Sequence, residues 1–214
     1  AGYGAVNAGR EYNDVEISQR TFLEQYVKPF RMALKAKPAM VMTAFNAIDR
    51  KPISGNKELL RDLLRDKEGF DGTVISDWGS IGQLEEQGVA ADMDEAAVQA
   101  IEAGVDIDMM SPAYMFRLEE LVKNGQIPES FIDESAFRVL MMKNQLGLFE
   151  NPFAGLGKSG KLTLHNRTKA YQMASESCVL LKNEEILPLC QKQKVIWAGP
   201  YVTSKEFLSR WAIF

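Results

Sequence analysis

Asp77 is the residue from which chemistry is most easily built. It directly follows Thr73-Val74-Ile75-Ser76, an apolar run of strand length, and precedes Trp78 and Gly79. A buried strand would thus deliver a carboxylate to its rim, beside an indole and a glycine that permits a sharp turn. Aromatic rings stack on the apolar C–H face of a pyranose, while carboxylates bond sugar hydroxyls or attack the anomeric carbon. An Asp in this place also serves as the cap of a following helix, and both roles stay open on these residues alone. Three other segments end in the same manner: Tyr3-Gly4, Phe45-Asn46 and Met109-Met110-Ser111. Asp106 and Asp108 suggest a cation, but no third oxygen ligand follows at a recognisable loop spacing, which favours buried hydrogen-bonding roles. Cys178 and Cys190 form no CxxC pair and lie apart from the single histidine, His165, so a structural zinc site is excluded, and two buried free thiols are expected in preference to a single disulfide.

The elements that would carry these residues alternate. Ser18 can cap a helix with apolar positions Phe22, Leu23, Tyr26, Val27, Phe30, Met32 and Leu34, kinked or broken at Pro29. Residues 39–45 are a continuous apolar strand, expected to be covered on both faces. A helix over 56–65 precedes the Thr73–Ser76 strand, and a helix over 93–103 ends at Gly104. Residues 105–110 form the next strand, and helices follow over 114–124 and 129–146. This alternation implies an α/β fold with parallel strands and right-handed crossovers. Residues 151–160 hold the densest Gly/Pro/Ser stretch, which places a domain at 1–150, a linker at 151–165 and a second, incomplete domain at 166–214. There, 166–182 reads as helix and Val195–Ala198 as a strand that has no partner.

Composition limits the partners. The 214 residues are 46% apolar and 25% charged, an ordinary globular balance, with a net charge of −4. Residues 1–150 carry 16 basic and 25 acidic side chains and residues 151–214 carry 9 and 4, so no dominant basic surface exists for nucleic acid. No apolar run is long enough for a membrane span and the first residues have no signal-peptide layout. Localisation is left open, with the cytoplasm favoured.

The segment Phe70-Asp71-Gly72-Thr73-Val74-Ile75-Ser76-Asp77-Trp78-Gly79-Ser80 resembles the nucleophile segment of glycoside hydrolase family 3, the β-glucosidases and their relatives. The resemblance continues in family order through Gly9–Asn13, Val41–Asn46, Leu59–Arg65, Ala103–Met109, Leu146–Phe149 and Ser177–Asn183. It implies retaining, two-step hydrolysis of β-linked sugars, with Asp77 as the nucleophile that forms a covalent glycosyl-enzyme and a second carboxyl group roughly 5–5.5 Å away as acid/base. In the family that second group belongs to the following domain, and it is expected beyond this chain. Arg10 matches a position that reaches sugar hydroxyls, where a guanidinium fork holds two oxygens. Trp78 and Met109 would wall the sugar pocket. Phe45 stands where many relatives carry a tyrosine, and it cannot donate that tyrosine's hydrogen bond.

The implied architecture is the C-terminal half of a (β/α)8 barrel followed by the first elements of an α/β sandwich domain. No cofactor or metal is implied, and the partner is a β-glycoside or oligosaccharide. A half-barrel would expose strand edges and apolar faces. The isolated fragment is therefore expected to be oligomeric, and without the acid/base residue it is expected to be inactive. In the alternative reading it is a non-catalytic piece that folds as a homo-oligomer or with a complementary chain.

Overall fold

The computed structural model describes residues 2–156 and 164–204, which fall into two compact units divided between Leu156 and Gly157. In the first unit the chain runs through β1 (Asp14–Val15), α1 (Gln19–Thr21), α2 (Lys28–Leu34), β2 (Met40–Met42), β3 (Ala47–Ile48), β4 (Lys51–Pro52), β5 (Thr73–Ile75), α3 (Gln83–Glu86), α4 (Met93–Ala103), α5 (Ala113–Lys123) and α6 (Glu129–Gln145). The Ser18 hydroxyl accepts the Thr21 N–H at 3.2 Å, as its capping position requires. The chain then takes a π-helical turn, Phe22–Tyr26, before Pro29 enters the first turn of α2, where its missing N–H costs nothing.

The parallel pair that matters for the site is β2 with β5, in the register Met40↔Thr73, Val41↔Val74 and Met42↔Ile75. Between them lies a ten-residue π-helix, Glu58–Lys67, where the sequence predicts an α-helix over 56–65. On the far side of β5 the predicted strand 105–110 shrinks to a single parallel bridge, Ile75↔Ile107. Two features break the ladder there. The Val74 carbonyl accepts from both the Asp106 and Ile107 N–H groups, and Met110 takes a left-handed φ of 68°. β2 is also shorter than the predicted 39–45, and Met40 and Met42, which share one face of the strand, are exposed rather than covered. A second small sheet, β1-β3-β4, pairs β1 parallel and β4 antiparallel to β3. Asp49 and Arg50, with φ of 48° and 64°, make the two-residue turn of the β3–β4 hairpin, a turn that matches strand twist.

The core is built on the small residues of α4. Ala96, Ala97, Ala100 and Ala103 are fully buried with Val74, Ile81, Leu84 and Val105, so the helix approaches the strands closely. Asp92 caps its start, accepting the Glu95 N–H at 2.9 Å. Gly104, at φ 92°, ends it: Gly104 N–H bonds the Ile101 carbonyl and Val105 N–H the Ala100 carbonyl. Helices α5 and α6 stand within a residue of their predicted bounds.

In the second unit α7 (Leu164–Glu176) starts before the predicted 166 and stops well short of 182. The predicted strand Val195–Ala198 does not form: these residues have no assigned secondary structure, and no strand among the described residues of this unit is there to take their hydrogen bonds. Cys178 and Cys190 are exposed, not buried, as are the described side chains around them. The remainder of the predicted linker, from 157 on, lies outside the described residues up to Leu164. No described helix is long and apolar enough to cross a membrane.

Candidate functional site

The site begins where the β2–β5 ladder ends. The Thr43 N–H donates to the Ile75 carbonyl at 2.9 Å, and on the other flank Ser76 N–H donates to the Ile107 carbonyl at 2.9 Å. One residue further on, Asp77 has left the ladder. Its own N–H donates to the Thr43 hydroxyl at 3.3 Å. Its carbonyl accepts from the Ser76 hydroxyl at 3.0 Å and from the Ser80 N–H at 3.1 Å. The carboxylate Oδ1 accepts the Trp78 N–H at 2.6 Å, which turns the side chain toward the start of the loop. Gly79 then takes φ 69°, a conformation that side-chain-bearing residues avoid, and donates its N–H to the Met109 carbonyl at 2.7 Å. Asp77 is half-buried and accessible, and it caps no helix: the next helix, α3, starts at Gln83 without a side-chain cap.

Trp78 is 44% exposed and lines an open cleft of about 690 Å³ with Gln83, Glu85, Glu86, Met93 and Met110. Met109 is half-buried and joins the site through its backbone, its N–H meeting the Ser76 hydroxyl at 2.7 Å. The Phe45 ring is buried against Tyr12, ring centres 4.7 Å apart, and its carbonyl accepts from the Gln87 amide at 2.9 Å. Arg10 is exposed. Asp77 and Trp78 are therefore joined by a direct hydrogen bond, and Met109 is tied to the residues on either side of them, Ser76 and Gly79, whereas Arg10 and Phe45 are not among the residues these bonds join.

Further residues gather here. The Tyr3 hydroxyl donates to the Glu11 carboxylate. Burial of the phenol, that hydrogen bond, and the negative charges of Glu11 and Asp77 push the Tyr3 pKa up to about 12, so Asp77 lies within electrostatic reach of Tyr3. Behind Asp77, the Thr43 hydroxyl is linked to Ser54, and Ser54 to Ser80, each at 2.8 Å. A polar residue interrupting the apolar run 39–45 was the visible signal for Thr43.

Asp106 and Asp108 hold the platform in place. Asp106 is fully buried and accepts from Arg65 at 2.8 Å, Arg138 at 2.9 Å and the Val74 N–H at 2.8 Å. Asp108 accepts from the Ser111 N–H at 3.2 Å and the Tyr114 N–H at 3.1 Å, fixing the start of α5. Both aspartates thus have hydrogen-bonding roles, Asp106 buried as expected and Asp108 only half-buried. No group of three or more His, Cys, Asp or Glu residues among those described could hold a metal ion.

Comparison with known proteins gives a consistent result. The family model described as the glycosyl hydrolase family 3 N-terminal domain matches residues 1–142. A periplasmic β-glucosidase of Salmonella typhimurium is 36% identical over 222 aligned positions, covering 99% of this chain and 29% of that protein. A protein of Formosa agariphila described as a β-xylosidase is 40% identical over 209, covering 94% of this chain and 28% of its own length. The crystal structure of a Listeria innocua β-glucosidase in complex with glucose superposes with a TM-score of 0.77 at 43% identity, covering 87% of this chain and 26% of that one. The chain spans less than a third of the relatives it matches.

Proposed function

The chain belongs to glycosyl hydrolase family 3, and on that premise we propose that Asp77 is the nucleophile of a retaining β-glycosidase that removes terminal β-linked sugars. The observation that carries this is the accessible carboxylate held at the end of β5, turned into the loop beside Trp78. In the first step Asp77 attacks the anomeric carbon. A second carboxyl group, contributed from outside these 214 residues, protonates the leaving oxygen. In the second step the same group takes a proton from the water that attacks the glycosyl-enzyme, releasing the sugar and restoring Asp77. Trp78 offers its ring to the sugar's apolar face and Met109 closes the wall, while Arg10 holds hydroxyls. Phe45 supplies packing against Tyr12 in place of the hydroxyl contact that a tyrosine would make.

The sequential parallel order of β2, β5 and the Ile107 segment supports reading residues 1–150 as the C-terminal half of a (β/α)8 barrel. The isolated chain, which carries one carboxylate of the pair, is expected to be inactive. The test uses the full-length protein. Incubation with a 2-deoxy-2-fluoro-β-glucosyl fluoride should label the tryptic peptide Glu68–Arg117 at Asp77, and Asp77→Gly should lose turnover by about 10⁴-fold or more while forming an α-glucosyl azide when azide is added. A label on another carboxylate would overturn the assignment.

A second reading rests on α6, whose Phe137, Leu140 and Met141 are exposed. Such a face, next to an open strand edge at Ile107, favours self-association of the isolated chain as a non-catalytic piece. Size exclusion with light scattering should give a homo-oligomer, and a monodisperse monomer that unfolds cooperatively refutes it.

A further inference from the structure

The three hydroxyls behind Asp77 occupy a place where an apolar core has no need of them. Thr43, Ser54 and Ser80 are each 2–3% exposed, adjacent to the core residues Ile53 and Ile81. They form a continuous chain, Thr43 to Ser54 to Ser80, that ends on the Asp77 N–H. The last backbone bond between β2 and β5 is Thr43 N–H to the Ile75 carbonyl, and the last one before Asp77 on the other flank is Ser76 N–H to the Ile107 carbonyl. Past those two bonds the Asp77 N–H is held by the Thr43 hydroxyl, while its carbonyl accepts from the Ser76 hydroxyl and from the Ser80 N–H of the turn that follows. Ser76 is itself tied to the Met109 N–H. The ladder fixes the fold, and the hydroxyls fix one residue beyond it.

We propose that Thr43 is a positioning residue for Asp77, set in turn by Ser54 and Ser80, so that the chain of hydroxyls fixes the line along which the carboxylate reaches the anomeric carbon. The proposal rests on Asp77 being the nucleophile. Its physical basis is that attack depends steeply on alignment, a displacement of about 1 Å costing on the order of 10²-fold in rate. Binding of the sugar ring, which depends on other groups, is left alone.

The experiment uses the full-length protein and measures inactivation by a 2-deoxy-2-fluoro-β-glucosyl fluoride, alongside turnover of an aryl β-glucoside. Thr43→Val keeps the shape and deletes the hydroxyl. It should slow the inactivation rate constant and kcat by about 10- to 100-fold with little change in the inhibition constant or KM. Thr43→Ser, which restores the oxygen but not the methyl group, should return the rate to within about threefold of the original. A loss in Thr43→Ser equal to that in Thr43→Val overturns the proposal, because volume rather than the hydroxyl would then be responsible. Unchanged rates in folded Thr43→Val also overturn it. Should Thr43→Val not fold, Ser54→Ala carries the test, with a loss of about three- to tenfold in the same constant expected and no loss refuting it. Asp77→Ala run in parallel separates the two readings. If it retains turnover, the nucleophile assignment fails; if it is dead while the Thr43 and Ser54 variants are normal, only the positioning role fails.

Discussion

Replacing Asp106 by asparagine should destabilise the first unit by about 3–5 kcal/mol, the cost of breaking a buried ion pair by removing one partner. The carboxylate is fully buried, and its partners Arg65 and Arg138 are 8% and 17% exposed. Burial pulls the Arg65 guanidinium below its ordinary pKa and the charge of Asp106 opposes that shift, so the neighbouring carboxylate is what makes a charged Arg65 tolerable there. Asparagine keeps one oxygen, which can still accept the Val74 N–H as Asp106 Oδ2 does at 2.8 Å. Its amide group, however, faces a guanidinium, donor against donor. Exposed pairs such as Lys51–Glu58 and Lys123–Glu119 are screened by solvent, so they cannot offset the loss. Against a typical total of about 5–15 kcal/mol, the deficit is large. The Val74 amide provides a direct assay. If its exchange proceeds through unfolding of this unit, it should accelerate roughly 150- to 5,000-fold in Asp106→Asn, following about 1.36 kcal/mol per tenfold change. An acceleration below about fivefold would refute the assignment of Asp106 as the charge centre of this core.

Two further outcomes follow from the same structure. In an ultraviolet titration the Tyr3 phenol should ionise at about pH 12, and both Glu11→Gln and Asp77→Asn should bring it down. Because the folded value is raised, the associated stabilisation is full below the ordinary tyrosine pKa of about 10 and is lost as pH rises from there toward 12. An unchanged Tyr3 titration in Asp77→Asn would place Asp77 too far away to act. Asp92→Ala should cost about 1 kcal/mol in denaturant unfolding by leaving the Glu95 N–H without its cap, and no change would mean that water replaces the carboxylate there at no cost.

The helical segment after Ser18 and helices α4, α5 and α6 were legible because their ends carry local chemistry, whereas the single turn α3 has no side-chain cap and was not. Ser18 and Asp92 cap, and Gly104, Gly125 and Gly147 take left-handed φ just past α4, α5 and α6. Periodicity does not distinguish five-residue from four-residue hydrogen bonding, so Glu58–Lys67 reads as an ordinary helix and is a π-helix. The β3–β4 hairpin escaped notice because its turn is Asp49-Arg50 rather than the Asn-Gly or Asp-Gly pair that marks such turns. The strands were overestimated for a different reason. Apolar runs at 39–45 and 105–110 report burial potential, but strand length depends on neighbours, and β2 has a partner on one side while the Ile107 segment keeps a single bridge.

The site divides along the same line. Asp77, Trp78 and Gly79 were legible because their placement depends on one strand and the turn after it, all within a few residues. Thr43, Ser54 and Ser80 are separated by 11 and 26 residues along the chain, and each alone is an unremarked small polar side chain. Only the parallel register of β2 against β5 brings the Thr43 hydroxyl under the Asp77 N–H, and that register is set by Val41 and Val74 packing into the core. A shift of one residue in this pairing would turn Thr43 to the opposite face and leave the Asp77 N–H without its hydroxyl partner. The placement of the carboxylate at a strand end is thus written locally, whereas the hydroxyl on its N–H is a consequence of the sheet.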